Sequence, residues 1–145
     1  MTILIVNGPN LNFLGIREPI IYGTKTYKDL VTTIKQYAKL KKINIIVRQS
    51  NHEGQLIDWI QQYYQKLDGI IINPGAFTHY SYALYDCLKS VSVPAVEVHL
   101  SDIMKREDFR KLSVITPACV GQIIGKGIDG YLEAVDLLLE RKTQS

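Results

Sequence analysis

Five short runs of apolar, mostly β-branched residues punctuate the chain: Thr2–Asn7, Ile43–Arg48, Gly69–Asn73, Ala95–His99 and Val120–Gly125. Each is nearly continuous in its apolar character rather than alternating, the pattern of strands covered on both faces. Between the runs the period changes. Tyr27, Leu30, Val31, Ile34 and Ala38 recur at spacings of three and four, as do Leu56, Ile57, Ile60 and Tyr64. Tyr82, Ala83, Leu84, Cys87 and Leu88 make a third group, and Leu132, Val135, Leu138 and Leu139 a fourth. That spacing puts each set on one face of a helix.

Strand–helix alternation throughout predicts an α/β fold with right-handed crossovers. Five strands suit a three-layer sandwich around a parallel sheet of flavodoxin-like order 2-1-3-4-5. No linker, repeat or low-complexity stretch interrupts the alternation, so residues 1–145 read as a single domain. In such a sheet the site lies outside the carboxyl ends of the strands, near the switch between strands 1 and 3.

The handover from the first strand is unusual. A buried strand normally reaches its helix within a few residues, yet here helical patterning begins only near Thr24. Residues 8–23 therefore form a loop dense in Asn, Gly and Pro, and its apolar anchors (Leu11, Phe13, Leu14, Ile20 and Ile21) argue against disorder. Long loops of this kind in compact domains carry function. It reads as an active-site lid.

Polar residues cluster where the topology asks for them. All three histidines, His52, His79 and His99, follow strand ends. Asn51 reads as the cap of the helix after strand 2. Thr78 reads as another cap, with the His79 ring near the strand-3 loop. His99 ends an otherwise apolar strand, where an imidazole without a purpose is costly. Glu97, two residues earlier, shares its face of the strand and can orient the ring. These histidines lack the short spacing of a metal site.

Arg106 and Arg110, four apart, read as one helical face, with Arg110 suited to gripping a substrate carboxylate. Arg17 on the opening loop is a further cation. Such cations decide what Tyr22 can do. A phenol titrates near pKa 10 and must fall by about two to three units, roughly 3–4 kcal/mol, to serve as a base near neutrality. A cation about 4 Å away, at an effective dielectric of 20, supplies on the order of 4 kcal/mol before desolvation.

Bulk properties narrow the function classes. A net charge of +3 with scattered lysines gives no case for nucleic acid, and Lys39, Lys41 and Lys42 suit the C-terminal end of a helix. No apolar run approaches the roughly 18 residues of a membrane span. The chain opens on a strand pattern without a basic segment or cleavage site, so no signal peptide is expected. Cys87 and Cys119 read as small core residues in a reducing compartment. A cytoplasmic location is the expectation. A phospho-receiver domain would need acids where this chain has Asn7 and Asn73. A nucleotide or flavin binder would want a phosphate-cradling loop after strand 1, but Pro9 lacks an N–H.

The ordered motifs are Asn7-Gly8-Pro9-Asn10-Leu11-Asn12, Gly15-x-Arg17-Glu18-Pro19-x-x-Tyr22-Gly23, Gln49-Ser50-Asn51-His52-Glu53-Gly54, Ile72-Asn73-Pro74-Gly75-Ala76, Thr78-His79, Glu97-Val98-His99-Leu100-Ser101 and Arg106-Glu107-x-Phe109-Arg110. With these, the chain resembles the type II 3-dehydroquinate dehydratases over essentially its whole length. The resemblance implies an anti elimination of water from 3-dehydroquinate through an enolate, with no cofactor, metal or Schiff base. Tyr22 would be the proton acceptor and His99 the proton donor, oriented by Glu97. Arg17 would stabilise the tyrosinate and transition state, with help from Arg106, and Asn10 and Asn73 would help to position the water or polar groups that hold the enolate. Substrate contacts would come from Asn73, Gly75, Ala76, His79, Leu100, Ser101 and Arg110. Asp86 would reach the site of a neighbouring subunit, in a dodecamer built as a tetramer of trimers.

Overall fold

The computed structural model describes residues 1–16, 18–22 and 24–144, with Pro19 and Tyr22 described as main chain only. Its strands are β1 (Thr2–Asn7), β2 (Asn44–Gln49), β3 (Gly69–Asn73), β4 (Ala95–His99) and β5 (Gly121–Ile124), all parallel in the order β2-β1-β3-β4-β5. The apolar runs located all five. β2 begins and ends one residue later than its run, and β5 is trimmed at both ends because Val120 is exposed and Gly125 turns to φ +76°.

The opening loop is less irregular than its composition suggests. It holds a 3-10 turn at Leu11–Phe13 and a single helical turn, α1 (Pro19–Tyr22). The first long helix, α2 (Tyr27–Lys41), starts three residues beyond Thr24. Thr26 fixes that start with a capping box, its hydroxyl accepting from Asp29 N–H at 3.1 Å while the Asp29 carboxylate accepts from Thr26 N–H at 2.9 Å. Such a box satisfies two N–H groups that the first helical turn leaves unpaired.

The remaining helices are α3 (Glu53–Tyr63), α4 (Tyr82–Val91) and α5 (Asp129–Gln144). Ile3, Ile5, Ile71, Val96 and Val98 face one core with Leu30 and Ile34 of α2 and Val135 and Leu138 of α5. Leu4, Val6, Ile70 and Ile72 face the other with Leu56 and Ile60 of α3 and Leu84 and Leu88 of α4. Alternation along each strand therefore assigns its last residue to a layer. Asn7 and Asn73 continue the face of Ile3, Ile5 and Ile71, whereas Glu97 and His99 continue the face of Ala95 toward α4. Among the described residues no helix is long and apolar enough to cross a membrane.

Both cysteines are free thiols. Burial pushes Cys87 up to about 11, and burial together with the negative charge of Glu97 pushes Cys119 up to about 12. Neither is a ready nucleophile near neutrality.

Candidate active site

The strand ends are locked together by backbone contact before any side chain is considered. Gly8 N–H donates to Asn73 O at 2.7 Å, and a Cβ on Gly8 would lie 2.4 Å from Pro74 O. No side chain fits there. Gly8→Ala is expected to destabilise the fold by about 1–3 kcal/mol, the usual cost of forcing atoms into a packed interior. A lowered urea midpoint with unchanged slope would register it.

Beyond Gly8 the chain turns through Asn10 at φ +71°, a conformation Asn tolerates better than most residues. The turn is held by strand 2. Asn10 N–H donates to Asn51 Oδ1 at 3.0 Å, and Gln49 Nε2 donates to Gly8 O and Asn51 Oδ1, each at 3.2 Å. This corrects the expected role of Asn51. The residue preceding α3 is His52, which makes no side-chain cap, and the Asn51 carboxamide is committed to the opening loop instead. His52 itself is exposed.

Glu97 and His99 form the buried centre. The His99 Nε2–Glu97 Oε2 distance is 2.5 Å, with Glu97 fully buried and His99 6% exposed. A carboxylate only accepts, so Nε2 carries the proton of that bond and Nδ1 is left for a ligand. Glu97 also accepts from Thr78 Oγ1 at 2.7 Å, Thr116 Oγ1 at 2.6 Å and Ser113 Oγ at 2.9 Å. Burial alone would raise the Glu97 pKa, but His99, Thr116 and Thr78 outweigh it and hold the carboxyl at about 2. Thr78 is therefore not a helix cap as expected. It lies buried in the 3-10 segment Gly75–His79, and Ser81 caps α4 by accepting from Leu84 N–H.

That environment has a pH consequence. The folded-state pKa of Glu97 lies below its ordinary value of 4.5, so its stabilisation is complete above pH 4.5 and is lost as pH falls toward about 2. Glu97→Gln is expected to remove this part of the acid sensitivity and to lower stability at neutral pH. Urea titrations at several acidic pH values would measure both.

Basic groups surround the His99 opening. His79 Nδ1 donates to Leu112 O at 2.7 Å, leaving its other ring nitrogen for a ligand. Burial lowers the His79 pKa against the pull of that carbonyl, favouring the neutral ring. Arg106 and Arg110 do not share a helical face. Arg106 is extended after the turn Ile103–Lys105, and Arg110 ends a separate turn, Asp108–Arg110. Glu107 lies between them, with its Oε2 2.8 Å from Arg110 Nε and 3.9 Å from Arg106 Nε. The Arg110 contact is an ion pair whose N–H is not aimed at the carboxylate. Arg106 Nη1 also approaches Ser101 Oγ at 3.4 Å.

These groups line an open cleft at the strand ends, about 680 Å³ when the space in its mouth is included. Asn10, Asn73, Gly75, Ala76, His79, His99, Leu100, Ser101, Arg106 and Arg110 all line it, and Glu97 sits behind His99. Asp86 is exposed on α4 and is not part of this lining. Arg17 and the Tyr22 side chain lie outside the described residues. Among those described, no cluster of His, Cys, Asp or Glu could hold a metal.

Sequence reasoning missed the groups behind the lining. Thr116, Ser113 and Gln122 belong to Glu97, and Tyr131 joins Asn7 and Asn73. Tyr131 precedes Val135 and Leu138 at spacings of four and three, so it reads as one more core position.

Comparison with known proteins agrees over nearly the whole chain. A family model described as dehydroquinase class II matches residues 1–139. The 3-dehydroquinate dehydratase of Clostridium acetobutylicum is 54% identical over 138 residues, covering 95% of this chain and 96% of that protein. The one from Caldicellulosiruptor saccharolyticus is 55% identical over 139 residues, with coverage of 95% and 96%. The crystal structure of the type II dehydroquinase from Butyrivibrio crossotus superposes with a TM-score of 0.94 at 56% identity, covering 95% of this chain and 97% of that one.

Proposed function

The chain belongs to the class II dehydroquinase family of hydro-lyases, and on that premise we propose that its strand-end pocket removes water from 3-dehydroquinate to give 3-dehydroshikimate. The supporting observation is the Glu97–His99 pair opening on a pocket it shares with Asn73 and two guanidinium groups.

The proposed route begins at the carbon between the ketone and C1. Tyr22 takes a proton there as tyrosinate, and the C–H electrons move onto the ketone oxygen to form an enolate. Arg17 favours the tyrosinate and the developing negative charge. Asn10 and Arg106 contribute donors around the pocket, where preorganised dipoles are worth more than in water. Collapse of the enolate breaks the C1–oxygen bond, and His99 protonates the departing hydroxyl so that it leaves as water. Glu97 stays anionic and stabilises the charged imidazole. Arg110, with the groups of Asn73, Gly75, Ala76, His79, Leu100 and Ser101, holds the carboxylate and hydroxyls of the substrate. No cofactor enters this route.

The same reading assigns the chain to the shikimate route or to quinate breakdown in the cytoplasm. It also assigns a homo-oligomer, expected to be a dodecamer built as a tetramer of trimers. Asp86 lies four residues beyond the exposed Tyr82, and Tyr80 is exposed nearby, which suits burial of this surface by a neighbouring copy. Sedimentation would measure the assembly. Mixing purified protein with 3-dehydroquinate should raise the enone absorbance of the product, and neither a chelator nor borohydride should stop it. Absence of turnover across pH and salt would overturn the reading.

A further inference from the structure

We propose that Tyr131 is a positioning residue for the reaction, acting through Asn73, whose contact with substrate is the reading given above. Asn7 and Asn73 are opposite one another in the β1–β3 pairing, and both continue the strand face that packs against α5. The phenol of Tyr131, fully buried on α5, sits between their carboxamides. Its hydroxyl donates to Asn7 Oδ1 at 2.6 Å and accepts from Asn73 Nδ2 at 2.9 Å.

The arrangement has a direction. Asn7 Nδ2 donates to Tyr27 OH at 3.3 Å, so its Oδ1 is the end left to accept from Tyr131. A hydroxyl has one proton, and here it is spent on Asn7. The Tyr131 oxygen can therefore only accept from Asn73, which must present Nδ2 to it. At its other end, Asn73 Oδ1 accepts from Gly75 N–H at 3.2 Å. Both ends of the carboxamide are thus assigned, and the pocket meets Asn73 in one orientation with one amide hydrogen and one lone pair still to offer. Burial keeps the phenol above its ordinary range, so it remains a neutral donor.

A structural role alone does not account for this expense. Burying two amides and a hydroxyl carries a desolvation cost unless every group is paired, and a phenylalanine with apolar neighbours would fill the same layer. Asn73 alone of these three residues lines the pocket. The others fix which way it faces.

The test is a double-mutant cycle on the full-length protein, reading kcat and KM for 3-dehydroquinate in the parent, Tyr131→Phe, Asn73→Ala and the double variant. Tyr131→Phe keeps the ring and deletes the hydroxyl. Positioning predicts a loss of at least tenfold in kcat/KM for each single variant, with the double within about twofold of Asn73→Ala. A merely structural hydroxyl would lower the unfolding midpoint with kcat/KM intact, or multiply its loss onto that of Asn73→Ala, and either result overturns the proposal. Asn73→Ala with parental kinetics would overturn the substrate contact itself, a distinct failure. If Tyr131→Phe does not fold by circular dichroism, Asn7→Ala replaces it in the same cycle. That change frees the Tyr131 proton to turn toward Asn73, so the same coupled loss is expected, and parental activity would overturn the proposal.

Discussion

His99→Ala is expected to lower the dehydration rate by about 10²–10⁴-fold, the usual contribution of a positioned general acid or base, while the circular dichroism spectrum stays that of the parent. The expectation follows from how much structure is spent on one imidazole. Glu97 accepts from three hydroxyls and from the ring, so removing the ring leaves the carboxylate with its hydroxyl donors and the fold with its polar layer satisfied. The loss should therefore fall mainly on chemistry, with a smaller loss of stability because the buried Glu97 gives up the partner that does most to keep it ionised. Because the leaving hydroxyl needs its proton in the transition state, kcat should fall far more than KM rises. Near-parental turnover would remove His99 from the mechanism.

Tyr22→Phe carries the second large effect, again about 10²–10⁴-fold in kcat for loss of the base. The phenyl ring keeps the apolar body of the residue, so KM should change little. The argument rests on the energy of the phenol. Lowering its pKa by two to three units takes about 3–4 kcal/mol, which a nearby cation can supply, and Arg17 lies on the same loop. Arg17→Ala should accordingly slow the reaction and shift the ascending, acid-side limb of its pH dependence upward, because the base acts only when deprotonated. Full activity of Tyr22→Phe in a steady-state assay would show that another group takes the proton.

How much of this was legible in the residues follows from what each signal encodes. Strands buried on both faces have to be apolar throughout, so the five runs and their order could be read directly. Glu97 and His99 could be paired because side chains on a strand repeat every two residues. Spacing failed where the backbone was irregular. Arg106 and Arg110 are four apart in a helix or in two successive 3-10 turns alike, and both versions bring them to the pocket. Thr78 looked like a cap because a threonine before a helical pattern usually is one, but Ser81 stands closer to the true start of α4. The supporting groups were hidden for another reason. Thr116 and Ser113 meet Glu97 from 19 and 16 residues away in sequence, through an irregular segment with no period to read, and Tyr131 differs from a core phenylalanine by one oxygen. Asp86 and the assembly concern a second copy, which the periodicity of one chain does not encode.

The central claim is that base and acid work from opposite sides of the substrate, Tyr22 from the lid and His99 from the end of β4. The most direct measurement uses 3-dehydroquinate carrying deuterium, on the carbon between the ketone and C1, on the face opposite the C1 hydroxyl. Product recovered after one turnover should contain no deuterium, the label having passed to solvent through the base. Deuterium retained in 3-dehydroshikimate would mean that the proton and the hydroxyl leave from the same face, and would contradict the assignment of the two residues.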